Sequence, residues 1–577
     1  MDVAGRASIR GRVIRALSLA CFVLAAAGSA YSQSSALPAD PNPSARIKQL
    51  FAEERWADVV REVQTVSDRD ADLDYYKGSA LAHLHRWHDA EQVLRAGSRL
   101  APEDKRFPIE LAGVAFKKKR LPTAAAWLRR GLRLDPTDTY ANDFLGTIYF
   151  LEGNLEAALK YWNPIGKPQI EQVQPDASLR IRPALLDRAL AFSSASELHR
   201  ADLLTSLARL EGLEVFPGPR LQLAARPDGK FDVLLNLQER NGLGNNIWEA
   251  LLSTFSGAAY QTIYPAYFNF GGSTINVTSL VRWDAQKRRL QGSIAGPLHR
   301  NPEWRYRMGF DLSNENWEIR DSFTGSAPVQ AALNLRRQAA SAEINSFHSG
   351  RWGWSAGVEF SHRDYRGVVA GSTLAPSLLL AGNQLKQLAG IHYDLLRLPE
   401  HRLTVTTSAS SELARIWSQP VHAFARLQGS ASAHWLPKSE GDDYETQMRV
   451  RGGGITGDLP FDELYMLGME RDNDLWMRGH VGTRDGRKGS APLGRRYFLA
   501  NSEIDKNLFS NGLITVKLSP FLDSGKITDS SGALGTQKWL WDTGIQAKLR
   551  VLGVSAAFVY GKDLRTGNNA FYFTTGR

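Results

Sequence analysis

The chain has 577 residues, 43% hydrophobic and 23% charged, with 70 Lys and Arg against 60 Asp and Glu for a net charge of +10. That length leaves room for several domains. The single cysteine excludes a disulfide framework and a thiolate metal site. The basic residues are spread through all regions without an aromatic-basic motif, which argues against nucleic acid as a partner.

In chain order, Arg6, Arg10, Arg12 and Arg15 precede an apolar run from Ala16 to Ala27, and Gly28-Ser29-Ala30-Tyr31-Ser32-Gln33 follows it. The run is shorter than the ~20 residues a spanning helix needs. A basic start, a short apolar middle and a small-residue exit predict a secretory signal peptide over 1–32, cleaved near Ser32. Cys21 leaves with it, because Ser18-Leu19-Ala20 is a poor approach to a lipid-modified cysteine. Residues 33–42, rich in Ser, Ala and Pro, read as a flexible leader.

A repeat follows over 43–167. Gly78, Ala112 and Gly146 are 34 residues apart, as are Ala90, Ala124 and Ala158, and Leu94, Leu128 and Trp162. Pro102 and Pro136 keep the same spacing, and Arg55-Trp56-Ala57-Asp58 echoes Arg86-Trp87-His88-Asp89. Small residues let paired helices approach closely, and proline closes the second helix. The pattern resembles the tetratricopeptide repeat, which implies an α-helical solenoid with a concave face for peptides or proteins. A spacer or an oligomer contact is the alternative role.

Over 168–240 the pattern changes. Gln169–Gln174 reads as a short strand, Pro183–Phe192 and Glu197–Leu210 as amphipathic helices. Arg220–Ala224 and Phe231–Leu237 read as strands joined by Arg226-Pro227-Asp228-Gly229, a tight-turn sequence. This βααββ order, with "LARLEGLEVF" at 207–216, resembles a polypeptide-transport-associated (POTRA) domain, the alternative being a small α+β linker. Residues 241–261 are a Gly/Asn-rich linker or plug segment, with a short helix at Trp248–Phe255.

From 262 to 577 apolar and polar residues alternate. Trp304, Tyr306, Met308, Phe310 and Leu312 fall opposite Arg305, Arg307, Gly309, Asp311 and Ser313. Trp352, Trp354, Val358 and Phe360 oppose Gly353, Ser355 and Glu359. Trp541, Thr543 and Ile545 oppose Asp542, Gln546 and Lys548, and Phe571 and Phe573 share a face in the last segment. Side chains alternate faces along a strand, so one face is oily and the other wet. That predicts an antiparallel transmembrane β-barrel of about 16 strands, apolar outside and polar inside. A soluble sandwich would bury such faces against each other with shorter strands.

One stretch breaks the alternation: Leu459-Pro460-Phe461-Asp462-Glu463-Leu464-Tyr465-Met466-Leu467-Gly468, then Leu475-Trp476-Met477-Arg478-Gly479-His480. With Phe521-Leu522-Asp523-Ser524-Gly525 it resembles the BamA/TamA (bacterial surface antigen) family of outer-membrane assembly barrels. The resemblance implies a long loop folded back into the barrel, whose Val-Arg-Gly-Phe/Tyr element meets carboxylates on the inner wall. Met477, Arg478, Gly479 and His480 stand where that element would be. Leu459, Pro460 and Gly468 match the turn that precedes the loop. Met469 replaces a glycine, His480 replaces the aromatic, and the chain ends on Gly576-Arg577 rather than an aromatic.

The residues agree with that assignment. Ile514, Val516 and Leu518 share the apolar face, so parity sends Thr515, Lys517 and Asp523 inward. An arginine inside a barrel requires a carboxylate, and Asp523 is the first candidate partner for Arg478, Glu503 the second. Gly479 would let the loop approach the wall. Motifs of hydrolases, metalloproteases and nucleotide enzymes are missing from the chain, so no enzyme, cofactor or metal is expected. The resemblance implies assembly or translocation of client polypeptides in the outer membrane. Lipid and client chains are then the partners, and the N-terminal domains face the periplasm, where the repeats could also hold periplasmic proteins. The alternative is an exopolysaccharide-export porin, with an open, charged lumen and no inward loop.

Overall fold

The computed structural model describes residues 43–577 apart from 67–69, 176–177, 245–246, 321–328, 370–373, 439–442, 512–513, 530–533, 535, 537, 552–553 and 577. The expected signal peptide and leader lie outside the described residues. Two compact units divide the chain: Met1–Gln174 with Ser193–Arg200 and Gln222–Leu234, and Pro175–Phe192 with Ala201–Leu221 and Leu235–Arg577.

The first unit is built from paired helices: α1 (Pro43–Ala52), α2 (Trp56–Val63), α3 (Ala71–His83), α4 (Trp87–Leu100), α5 (Arg106–Lys117), α6 (Leu121–Leu134), α7 (Thr139–Leu151) and α8 (Leu155–Trp162). The spaced small residues sit where helices touch. A Cβ on Gly78 would come within 2.5 Å of Leu94 Cγ, and one on Gly146 within 2.4 Å of Trp162 Cδ1. Ala90, Ala124 and Ala158 are completely buried. Asp138 caps α7 by accepting from Ala141 N, the usual role of Asp at that position. Lys105 reaches Asp135 at 2.7 Å and Asp138 at 2.6 Å, joining neighbouring helix pairs. The Lys105 ammonium, helped by Thr137, holds the Asp135 carboxyl down at about 2.

Residues 168–240 form β1 (Ile170–Pro175), α9 (Pro183–Ala189), α10 (Arg200–Gly212), β2 (Arg220–Ala225) and β3 (Phe231–Asn236), with sheet order β1-β3-β2. Gly229 takes the positive φ, 80°, that the β2–β3 turn requires. This stretch is shared between the two units rather than forming one of its own. Helix α11 (Ile247–Phe255) follows.

The second unit is dominated by one large antiparallel sheet that curls into a barrel. It starts with the fragments β4 (Thr262–Ile263) and β5 (Ala266–Tyr267), both paired with β6 (Asn276–Trp283). β7 (Lys287–Leu298), β8 (Asn301–Arg320), β9 (Val329–Ser346), β10 (Trp352–Arg366) and β11 (Gly382–Leu398) follow as antiparallel neighbours. β12 (Leu403–Trp417), β13 (His422–Trp435) and β14 (Tyr444–Gly457) continue the sheet. A long insertion carries β15 (Tyr465–Met466), β16 (Thr483–Arg484), β17 (Arg487–Lys488) and β18 (Leu493–Gly494). The wall resumes with β19 (Arg496–Ser510), β20 (Ile514–Thr528), β21 (Leu540–Val551), β22 (Val554–Asp563) and β23 (Asn569–Gly576). β19 pairs directly with β14 across the insertion.

About 16 strands were expected. Among the described residues the ring order has eighteen segments, fourteen of them eight residues or longer. The difference has local causes. Pro265 lacks an N–H and divides the first strand into β4 and β5, and β16 and β17 belong to the insertion. Where β23 meets the other edge it therefore faces fragments of two residues each. Tyr260 spans this junction: its hydroxyl donates to the Phe573 carbonyl at 2.8 Å and its ring stacks on Phe573.

The alternation sorts the faces as expected. Met308, Phe310, Leu312, Val358, Phe360, Ile391, Leu427, Phe558 and Phe571 are exposed outside, while Arg282, Arg305, Arg363, Lys386, Asp523 and Asp542 are buried inside. An apolar outer belt over a polar inner face is the arrangement a bilayer imposes on a barrel. Among the described residues no helix is long and apolar enough to cross a membrane. The interior is not polar throughout, however. Trp317, Leu333, Leu335, Ile416, Phe424 and Leu499 also point inward and form one apolar cluster with the insertion.

Candidate functional site: the loop inside the barrel

Residues 458–495 connect β14 to β19 and lie against the inner wall. Leu459 and Phe461 are fully buried, and Phe461 meets Trp317 edge-on at 4.9 Å. Gly468 is needed where the loop crosses itself, since a Cβ there would come within 2.4 Å of Ala491 Cβ. Met469, in place of a second glycine, is itself completely buried beside Phe521 and Val559. The tip is a β16–β17 hairpin turning at Asp485-Gly486, both with positive φ, as a two-residue hairpin requires. Lys488 pairs with Trp317 on β8, so the tip is hydrogen-bonded to the wall.

Three charged clusters fasten this loop. The first holds Arg478. Its Nε donates to Asp523 Oδ2 at 2.9 Å and its Nη2 to Asp523 Oδ1 at 2.6 Å, a bidentate pair. Nη1 donates to Glu503 Oε2 at 2.5 Å, and the backbone N of Arg478 to Asp523 Oδ2 at 3.0 Å. The guanidinium carbon lies 3.9 Å from the Phe521 ring centroid, so the flat ion is stacked on a ring as well as paired. Lys548 supplies a second cation to Glu503 at 2.6 Å and to Asp505 at 2.9 Å. The structure thus brings together all the residues singled out around Arg478. Gly479 N donates to Asp542 Oδ2 at 2.6 Å, and a Cβ on Gly479 would lie 2.6 Å from the Asp542 Cγ. His480 Nδ1 is 3.0 Å from the same Oδ2.

The second cluster was not anticipated. Glu463, beside the Leu459-Pro460 turn, accepts from Arg363 at 3.0 Å, from Lys386 at 2.9 Å and from Arg426 at 3.0 Å. Those residues lie on β10, β11 and β13, the wall opposite in sequence to Arg478's partners. Tyr365 donates to the neighbouring Asp462 at 2.8 Å. The third cluster is at the loop's far end. Asp472 pairs with Arg282 at 2.8 Å, Arg289 at 2.6 Å and Lys488 at 3.1 Å. Glu470 pairs with Lys287 at 3.2 Å, and Lys488 reaches Glu315 at 2.7 Å. Parity in the sequence puts Arg282 on the inner face, but nothing local marks its partner 190 residues away. Removing one member of such a buried pair strands the other charge, at a cost of about 3–5 kcal/mol.

Between β14 and β19 the loop therefore spans the interior and is pinned at β6–β8, at β10–β13 and at β19–β22. Gly561 on β22 makes the last contact possible. A Cβ there would stand 1.9 Å from the Arg478 carbonyl oxygen, so any other residue would push the loop off the wall.

The chain matches no family model and no curated protein. Solved structures similar to it include BamA from Haemophilus ducreyi lacking POTRA domains 1–3, at 12% identity and a TM-score of 0.42, over 71% of this chain and 84% of that one. CdiB from Escherichia coli is similar at 14% identity and a TM-score of 0.46, over 71% and 75%. MamA from Desulfovibrio magneticus RS-1 is similar at 18% identity and a TM-score of 0.21, over 21% of this chain and 71% of that one. Likenesses this distant carry no argument about activity, and the function has to be argued from the chain's own geometry.

Proposed function

We propose that this protein is an outer-membrane β-barrel that assembles client polypeptides into the membrane or translocates them across it. In this reading the helical repeats and the βααββ segment face the periplasm and receive the client, and the repeats could also hold periplasmic proteins.

The thin junction at β23 carries the reading. From β6 round to β23 the long strands pair in ladders of eight or more residues, whereas the first strand is reduced to β4 and β5, which pair with β6 over two residues each and are, with a tyrosine, what β23 meets. A strand edge with unpaired N–H and C=O groups is a template for another chain, which adds by β-augmentation. The pinned loop supports the same reading. It occupies the interior and touches β20–β22, so its position is linked to the strands beside the junction. A polymer-export porin calls for an open lumen without such a loop, and the apolar cluster shared by loop and wall argues against it.

The test is a disulfide engineered across the junction, between 260–267 and β23, in protein reconstituted in vesicles. Insertion of a urea-unfolded outer-membrane barrel is followed by protease protection. Oxidation is expected to stop insertion and reductant to restore it. Insertion that continues unchanged with the junction locked would remove the reading.

A further inference from the structure

We propose that His480, Asp542 and Asp563 form a site for one late first-row divalent cation, with zinc as the simplest occupant. His480 comes from the loop, Asp542 from β21 and Asp563 from the end of β22. All three are buried, at 2% exposure or less. One ligand atom from each lies within 4.8 Å of the other two. His480 Nδ1 is 3.0 Å from Asp542 Oδ2 and His480 Nε2 is 3.6 Å from Asp563 Oδ2.

Two independent observations point to a cation. The first is an unused oxygen. Asp542 Oδ2 accepts from Gly479 N and lies beside His480, but Asp542 Oδ1 is buried without a hydrogen-bond partner among the described residues. A buried carboxylate oxygen left without a donor is costly. The second is the local charge. Arg478 is taken up by Asp523 and Glu503, and Lys548 by Glu503 and Asp505. Asp542 and Asp563 complete a patch of five carboxylates around two cations, and the group between these last two is an imidazole. A divalent ion there cuts the excess of three negative charges to one.

The ligand types select the metal. Magnesium and calcium prefer oxygen donors alone, whereas imidazole suits zinc and its neighbours. Tetrahedral zinc, with bonds of roughly 2.0–2.2 Å, sets ligand atoms about 3.4 Å apart. One ion takes a single ring nitrogen of His480, and with one ligand atom from each residue within 4.8 Å of the others the side chains have to draw together around it. The family pattern carries an aromatic at this position, and His480 is what makes a metal possible here. A bound ion would staple the loop to β21 and β22, close to the junction at β23. The site stands whether or not the barrel handles polypeptides.

Full-length protein folded in detergent, saturated with zinc chloride and dialysed, is expected to keep one zinc per chain by elemental analysis. A hundredfold excess of magnesium should not displace it. His480→Phe and Asp563→Asn, with folding checked by heat-modifiable gel mobility, should each retain less than a tenth as much. X-ray absorption at the zinc edge of the wild-type protein needs no variant, and should show one imidazole with oxygen ligands. The proposal is overturned if the wild type keeps no zinc, if the folded variants keep as much, or if the bound zinc sees oxygen alone. His480 would then be a charged clamp between two carboxylates.

Discussion

Arg478 satisfies two carboxylates from different strands with one rigid fork, and no other residue type can do this. Its bidentate pairing with Asp523 uses two parallel N–H bonds, while the remaining nitrogen reaches Glu503. Lysine offers a point charge without that geometry. Arg478→Ala is expected to cost about 3–5 kcal/mol, because it leaves Asp523 and Glu503 buried with fewer cations. The measurements are the denaturant midpoint in detergent and single-channel conductance in a planar bilayer. The midpoint should fall and the conductance rise as the loop comes away from the wall. If neither moves, the other two clusters hold the loop without Arg478. At this scale the sequence was partly legible. Parity counted from Ile514, Val516 and Leu518 sends Asp523 inward, and there it meets Arg478. Parity also sends Asp542 inward, but it could not show that His480 and Gly479 would be its neighbours. Glu463 and Asp472 were illegible, since a loop without period gives its side chains no predictable direction.

Among the elements, α11 is the one whose surface is least explained by the protein around it. Ile247, Trp248, Leu251, Leu252 and Phe255 recur at helical spacing on one face, and all are exposed, Trp248 by 68%. The helix touches β22 and β4, on either side of the junction. An exposed apolar face of this size on a barrel protein is expected to be covered by lipid. Trp248→Cys carrying an environment-sensitive fluorophore should emit to the blue in vesicles and be quenched by lipid-borne nitroxides. The same label at Asp228→Cys, in the β2–β3 turn, should report water. Equal, water-like signals at both positions would place this face away from the bilayer. The helix itself was readable from the apolar spacing at 248–255. Its exposure was not, because an amphipathic pattern says only that a face needs covering and leaves the cover unnamed.

For the molecule as a whole, the regular parts of the sequence were the legible parts. A period of 34 marked the helix pairs, with Gly78 and Gly146 at the close contacts. A period of two marked the wall. What escaped was whatever depends on a break in the period. Pro265 split the first strand, and the inner face turned apolar at Leu333, Leu335 and Ile416, where the loop packs. Alternation cannot distinguish an apolar residue facing lipid from one facing a buried loop, since both satisfy the same surface.

The junction residue Tyr260 has a consequence in time as well as in space. The Arg471 guanidinium of the inner loop lies 3.2 Å over the Tyr260 ring, whose hydroxyl holds the Phe573 carbonyl. At this junction parting breaks a ring stack, a side-chain bond and only the short pairing that a two-residue fragment can make, where β22 and β23 are joined by a ladder of eight residue pairs. Local opening spans microseconds to seconds according to what must be broken, so the barrel should carry a fast position in an otherwise slow ring. Amide hydrogen exchange should find the edge of β23 far ahead of β8 and β9, and Tyr260→Phe should hasten it further. Uniform exchange around the wall would mean that the thin junction opens no more readily than the ladders. A barrel with one fast seam keeps its own clock for admitting another chain, and that clock is wound by a loop residue, Arg471, on the inside.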